Sequence, residues 1–140
     1  MHDLQFSTDA LNRIRSQGDS YNERAYLFML AAIEYLQGRL EVRRHVTGSE
    51  LSWACRDFAV SQFGLLAAPV LHYWGVRKTE DFGRIVYNLV NVGLLSTQPG
   101  DRESDFAGVF EFGQAFSEPY VWKGLAHIES TKLTWGGLTQ

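Results

Sequence analysis

The sequence predicts a mainly α domain of the α+β class, winged-helix-like, with an extra N-terminal helical pair and a short β-hairpin wing. Three stretches favour this fold. Residues 79–91 repeat apolar side chains at the helical period, residues 94–95 follow as a short apolar strand, and residues 107–112 resume with β-favouring residues. A turn signal at 98–101 separates the two strands, which we expect to pair. Helix, strand, charged loop and strand in this order are typical of a winged helix.

The helix at 79–91 has its own start and stop signals. Thr79 is the predicted N-cap, and Glu80 and Asp81 place negative charge at the positive end of the helix dipole. Gly93 suits a chain that leaves a helix through the left-handed region. The apolar stripe, which we expect to be buried against Leu30, Ile33 and Phe58, consists of Phe82, Ile85, Val86, Leu89 and Val90.

The start of the chain predicts two helices. Residues 1–17 form a short, partly polar helix. Ser20 and Glu23 then stand at capping-box spacing and open a helix over about 21–37. This second helix is apolar on nearly every side, and such helices are normally central. We therefore expect it to be the core helix.

Two more helices are predicted before residue 75. Thr47 and Glu50 form a second capping box, and the helix that they open ends at Gly64. Residues 65–74 indicate another short helix, with Pro69 near its first turn, where a missing backbone N–H is tolerated. The order of helices matches the first half of a winged helix preceded by the extra pair.

Composition and charge describe an ordinary globular domain. The 140 residues carry a net charge of −3, so no overall positive field attracts nucleic acid or an anionic membrane. The single cysteine, Cys55, cannot form an internal disulfide. Residues 1–3 lack the basic start of a signal peptide, and the longest apolar run, 26–33, is far shorter than the roughly 20 residues of a membrane span. We expect a cytoplasmic protein without a transmembrane segment.

No catalytic, cofactor or metal-binding motif stands out. The four histidines are not spaced for metal binding, and Cys55 lies on the apolar stripe of its helix, where it is a small core residue. The serines lack a nucleophile-elbow context, and no glycine-rich phosphate loop is present. We therefore expect no catalytic, cofactor-binding or metal-binding residues, and a protein that is not an enzyme.

Two clusters are candidates for binding a partner. The first is a basic connector made of Arg39, Arg43, Arg44 and His45. It is either a solvated loop with ion pairs to Glu41 or Glu50, which is the commoner case, or a set of guanidinium groups for a phosphate or a partner's carboxylate. The second cluster is aromatic and contains Trp53, Tyr73 and Trp74. These rings either pack in the core or form an exposed platform for a partner.

Nucleic-acid binding is the alternative that a winged helix suggests. The helix after the turn enters the groove in such folds, and the candidate contacts here are Arg77, Lys78, Arg84 and Asn88. Residues 77–105 contain four basic and five acidic side chains. Because phosphate affinity depends on positive side chains, we expect any such binding to be weak, non-specific and strongly salt-dependent.

The predicted domain covers residues 1–118, and residues 119–140 form a C-terminal tail or docking arm. The tail is rich in Gly, Thr, Ser and Lys and has no clear period, yet it carries Trp122 and Trp135. It either lies on the surface of its own domain or docks on a partner with the two tryptophans as anchors.

Three stretches carry a resemblance: HVTGSEL, FGLLAAPVLHYWGVRKTEDFGRIVYNLVNVGLL and DFAGVFEFGQAF. Together they resemble a small uncharacterised bacterial protein family known mainly from the planctomycete–verrucomicrobial group. The resemblance covers roughly residues 20–118 and implies no activity, cofactor or catalytic residue. The tail after Pro119 lies outside it and is a reasonable place for a role particular to this protein.

The favoured function is a non-catalytic protein-binding module, an accessory or assembly subunit of a larger complex. The partner, another protein, would meet the tail and the aromatic surface through Trp122, Trp135, Trp53, Arg43 and Arg44. The alternative is a nucleic-acid-binding regulator, and a small-molecule enzyme of unknown type ranks third.

Overall fold

Six α-helices and two short 3₁₀ helices form the part of the chain that the structure, a computed structural model, describes: residues 8–117. The α-helices are α1 (Thr8–Arg15), α2 (Glu23–Gly38), α3 (Gly48–Phe63), α4 (Ala67–Tyr73), α5 (Thr79–Asn91) and α6 (Phe112–Ala115). The 3₁₀ helices are Gly64–Leu66, between α3 and α4, and Glu103–Phe106, before α6. This part of the chain is all-α, so the predicted α+β class is wrong.

Helix α2 is central, as its apolar sequence predicts. It packs against α3 and α5, and its Met29 and Ala32 are fully buried. Its N-cap is Asn22, whose side-chain oxygen accepts a hydrogen bond from the backbone N–H of Arg24 at 2.8 Å. The predicted capping box at Ser20 is therefore wrong, because the helix starts two residues later than that box requires.

Helix α3 has the start and the end that its sequence predicts. The Thr47 Oγ1 accepts from the backbone N–H of Glu50 at 3.0 Å, and the Glu50 carboxylate accepts from the backbone N–H of Thr47 at 2.8 Å. Gly64 ends the helix with φ +58°, a conformation that favours glycine. Cys55 is fully buried in the core, and burial raises the pKa of its thiol.

The start of α5 corrects the role predicted for Thr79. The capping position is Lys78, and the acceptor for the exposed N–H groups is the Asp81 carboxylate, at 2.8 Å from Arg77 N and 3.2 Å from Lys78 N. Thr79 is fully buried, and its hydroxyl oxygen accepts from the backbone N–H of Val109 at 3.2 Å. Thr79 thus ties a distant segment to α5 and does not cap the helix.

The apolar stripe of α5 faces the core. Phe82, Ile85 and Leu89 are each at most 1% exposed, and Val86 is half-buried against them. Val90, at the edge of the stripe, is also half-buried. The expected neighbours in the core are confirmed as half-buried side chains packed against it: Leu30, Ile33 and Phe58.

The predicted β-hairpin wing is absent from the described part of the chain, because its backbone groups have other partners. A strand needs its N–H groups for a neighbouring strand. Here the N–H groups of Leu94 and Leu95 donate to the carbonyl oxygen of Leu89, at 2.9 and 3.3 Å. Gly93, with φ +86°, makes the turn that closes α5 in this Schellman-type ending.

In the second predicted strand, residues 107–112, two backbone N–H groups likewise donate to acceptors outside any strand. Gly108 N donates to the Glu80 carboxylate and Val109 N to the Thr79 hydroxyl, both at 3.2 Å. These acceptors belong to the first turn of α5. The segment is therefore irregular and leads into α6.

The alternating aromatic residues that predicted this strand form a cluster against the core. The Phe110 ring lies 4.7 Å from the Trp53 ring between centroids, and the Phe112 ring lies 5.7 Å from the Phe82 ring. Phe116 packs on Phe112 at 5.2 Å. Aromatic burial thus explains the alternation without a β-ladder.

Candidate functional site

The outer surface of α4 is the largest concentration of exposed apolar side chains in the described region. Leu65 and Leu66, in the 3₁₀ turn before α4, are 83% and 64% exposed, and Tyr73 at its end is 81% exposed. Leu66, Pro69, Val70 and Tyr73 stand at i, i+3, i+4 and i+7, which places them on one helical face. We call Leu65 and these four residues the outer stripe.

The opposite face of α4 is apolar too and packs inward. Ala67 and Leu71 are buried, and the Trp74 ring lies 5.7 Å from Phe28 and 5.8 Å from Phe63. The inner face of α4 therefore provides its packing against the domain core. The side chains of the outer stripe do not contribute to that packing.

Local structure holds α4 rigidly in this orientation. The backbone N–H of Val76 donates to Leu71 O at 2.8 Å, and Asn22 N donates to Trp74 O at 3.0 Å. Gly75 has φ +96° and lies against Tyr21, where a Cβ would come within 3.3 Å of the ring. The helix is thus fastened at its end to the start of α2, so the outer stripe is pre-organised.

The end of the outer stripe near Tyr73 is basic. Arg77 Nε lies 3.3 Å from the His72 Nε2, and Lys78 follows in an exposed position. Within residues 8–117 neither Arg77 nor Lys78 forms a side-chain ion pair. The carboxylate of Asp81, in the first turn of α5, accepts two backbone N–H groups and the Tyr21 hydroxyl, the latter at 2.5 Å. Two cationic groups therefore remain available to an acidic partner.

The basic connector forms ion pairs with neighbouring glutamates. Arg43 contacts both carboxylate oxygens of Glu34, at 3.0 and 3.1 Å, and Arg44 contacts both oxygens of Glu50, at 3.3 and 2.9 Å. The hydrogen bond from Arg43 is the main cause that lowers the pKa of Glu34. For Arg43 and Arg44 the paired interpretation is the one that fits this geometry, with Glu50 as a predicted partner and Glu34 in place of Glu41.

The aromatic cluster predicted at Trp53, Tyr73 and Trp74 is divided among three places. Trp53 is half-buried beside Phe110, and the Arg56 guanidinium carbon lies 5.7 Å from its ring centroid. Trp74 packs in the core, and only Tyr73 projects into solvent. No shared platform is formed by the three rings.

The residues predicted to contact nucleic acid do not share one free face. Asn88 is 1% exposed, and its side-chain NH₂ donates to Asp19 at 2.8 Å and to the Tyr26 hydroxyl at 3.0 Å. Arg84 forms ion pairs with Asp19, at 3.8 Å, and Glu103, at 3.2 Å. Of the four residues, Arg77 and Lys78 are exposed and have no ion pair within residues 8–117.

A buried ion pair on α3 was not predicted. Both Arg56 and Asp57 have fully enclosed side chains, with 3.0 Å between Arg56 Nη2 and Asp57 Oδ1. Within residues 8–117 neither oxygen of Asp57 makes an aligned hydrogen bond. Burial raises the pKa of Asp57 to about 6, against the opposing attraction of Arg56 and Arg39. The carboxyl is therefore a pH-sensitive group inside the fold.

Chemistry-bearing clusters are sparse in the described region. No group of three or more His, Cys, Asp or Glu side chains within residues 8–117 is arranged to hold a metal ion. Among the helices of that region, none combines the length and the apolar character that crossing a bilayer requires. Comparison with protein-family models, with curated proteins and with solved structures found no match.

The outer stripe was only partly visible to sequence reasoning. Trp122 and Trp135, the anchors predicted in the tail, lie outside the described residues. The sequence predicts Tyr73 as part of an aromatic cluster, whereas Leu65 and Leu66 fall in the predicted short helix 65–74 without a predicted binding role. The available signal was that residues 65–74 are apolar on both faces, which a short surface helix does not need.

Proposed function

We propose that this protein is a non-catalytic protein-binding module and that the outer stripe of α4 is its docking surface. One observation carries the proposal: large apolar side chains are exposed on a rigid helix whose inner face already completes the core. Contiguous exposed apolar patches on soluble proteins commonly mark interaction sites. An accessory or assembly subunit of a larger complex is the role that fits such a surface.

The basic end of the stripe defines the chemistry of the partner. An apolar anchor that covers Leu66 and Tyr73 would bring its flanking residues close to Arg77 and Lys78. Acidic flanking residues would gain the charge-assisted contacts that these cations lack within the described region. The partner we propose is a protein segment with large apolar side chains at helical spacing and acidic residues at one end.

The experiment identifies the partner and then measures its affinity. Proteins that co-purify with the full chain from native lysate are identified by mass spectrometry, and candidates are purified and titrated against it by fluorescence anisotropy. The double variant Leu66→Ser/Tyr73→Ser should bind at least tenfold more weakly, because central apolar anchors dominate interface energy. Arg77→Gln should weaken binding less and reduce its salt dependence.

A matched control is Val42→Ser, which removes an apolar side chain that is 73% exposed, lies on the basic connector and is not part of the outer stripe. It should bind like the natural protein. Undiminished affinity in the Leu66→Ser/Tyr73→Ser variant would refute the α4 surface. Concentration-dependent dimerisation that this variant abolishes would show instead that a second copy covers the stripe.

The docking arm predicted at residues 119–140 is compatible with this surface but independent of it. Deleting residues 120–140 tests the arm, whereas the α4 variants leave the tail intact. Nucleic-acid binding has less support, since Asn88 is buried and Arg84 is paired with carboxylates.

A further inference from the structure

An apolar cleft of about 160 Å³ lies between α2, the start of α3, α5 and the segment 95–106. Its apolar lining includes Leu51, Val86 and Phe106. It shares no residue with the outer stripe of α4. Since an apolar cavity of about 150 Å³ can hold a benzene ring, the cleft suits an apolar body of about six to ten non-hydrogen atoms.

Among the residues that line the cleft, His45 and Asp101 form a histidine–carboxylate pair. His45 Nε2 and Asp101 Oδ1 are 2.9 Å apart, and the other Asp101 oxygen accepts the backbone N–H of Gln98 at 2.8 Å. The backbone hydrogen bond, and next to it the His45 contact, lowers the pKa of Asp101. Asp101 is therefore a fixed, ionised carboxylate at the rim.

The charges that face the cleft favour a cation. Asp101 and Asp105 both line it, with side chains 23% and 36% exposed. Arg102 also lines the rim, but its side chain is 75% exposed and its Nε stays 3.8 Å from Asp105. The more enclosed charges are thus negative.

Tyr87 also lines the cleft, and its pKa is affected by the same negative charges. Burial is the first cause that raises the pKa of its phenol, and the negative charges of Asp101, Asp105 and Glu103 raise it further. Its ring also lines the wall, and an aromatic face attracts a nearby cation.

We propose that this cleft binds a small primary amine, with an aromatic or aliphatic body on the floor formed by Leu51, Val86 and Phe106 and its ammonium group beside Asp101 and Asp105. A carboxylate can accept several hydrogen bonds, so Asp101 can hold an ammonium while it keeps Gln98 and His45. The body supplies apolar burial, and the ammonium supplies orientation.

The probe is 2-phenylethylamine, compared with 2-phenylethanol and 3-phenylpropanoate, which keep the ring and replace the cation by a neutral group or an anion. Each is titrated into the full ¹⁵N-labelled protein, and backbone shifts are followed by NMR. We expect the amine to bind with a Kd on the order of 0.1–1 mM and at least about fivefold more tightly than the alcohol. The shifts should centre on residues that line the cleft.

Two variants and a control test the assignment. Asp101→Asn should remove the preference for the amine over the alcohol, and Val86→Phe should block both by filling the floor. Glu41→Gln removes an exposed carboxylate elsewhere and should change neither affinity. Equal or tighter binding of the carboxylate probe, shifts away from the cleft, or no binding up to about 10 mM of the amine would overturn the proposal.

Discussion

At the scale of single residues, close approach between segments decides several positions. Gly83 lies on α5 where a Cβ would stand 3.0 Å from three atoms of the Phe106 side chain. The glycine therefore admits the buried Phe106 ring between α5 and the rest of the core. A helix-interior glycine is otherwise unfavourable by roughly 1 kcal/mol relative to alanine.

Gly83→Ala should lower the free energy of unfolding by about 1–3 kcal/mol in spite of the gain in helix propensity, because overpacking displaces Phe106. Urea denaturation at neutral pH measures the change. Gly38→Ala is the matched control, since nothing lies within 4 Å of its Cβ position in α2. That control should be neutral or slightly stabilising, and a stabilised Gly83→Ala protein would contradict the packing argument.

At the scale of elements, α4 and the turn before it have two apolar faces, of which one is buried and the other is exposed. Leu71 on the inner face is 0% exposed, whereas Leu65 of the outer stripe is 83% exposed. Apolar burial stabilises only the side chains that leave water on folding. The two leucines therefore differ in energetic role although they are six positions apart.

Leu71→Ala should destabilise the protein by about 2–5 kcal/mol, the usual range for a large-to-small change in a core. Leu65→Ala should change stability by less than about 0.5 kcal/mol, because it removes little buried surface. Thermal or urea unfolding of both variants checks the contrast. Similar losses in the two would mean that the outer stripe belongs to the core.

At the scale of the whole molecule, the buried Asp57 couples folding to pH. Its pKa rises from an ordinary value of 3.8 to about 6 in the folded protein, because burial disfavours the charged form. Below about pH 4 the group is protonated in both states and carries no penalty. Between about pH 4 and pH 6 the folded protein keeps this proton while the unfolded chain has released it. The free energy of unfolding therefore falls as the pH rises across this range, and the contribution is fully lost above about pH 6.

We expect the free energy of unfolding to fall by up to about 3 kcal/mol between pH 4 and pH 6 through this one group. The lowered pKa values of Glu34 and Glu50 act in the opposite direction, and mainly below pH 4.5. Asp57→Asn should flatten the slope between pH 4 and 6, measured by urea unfolding at fixed salt. The exposed-site control, Glu41→Gln, should retain it; an unchanged slope in Asp57→Asn would show that another group is responsible.

The sequence by itself determined the features whose partners lie within one helical turn: the Thr47–Glu50 capping box and the helix ends at Gly64 and Gly93. Such features are predictable because the chain itself holds the groups that satisfy each other close together. The sequence also determined that α2 is central and that one stripe of α5 is buried, because the period of the apolar residues shows which faces leave water, although it does not name their neighbours.

Only the tertiary structure decided the contacts that join distant segments. Val109 donates to Thr79 and not to a strand, Asn88 is buried against Tyr26, and His45 meets Asp101 across 56 positions. The hairpin prediction failed for this reason: strand pairing is non-local, and the N–H groups that it needed donate to the Leu89 carbonyl in the first segment and to side chains of α5 in the second. The exposed stripe and the cleft likewise depend on which faces the other helices cover, a choice that packing makes and local spacing does not.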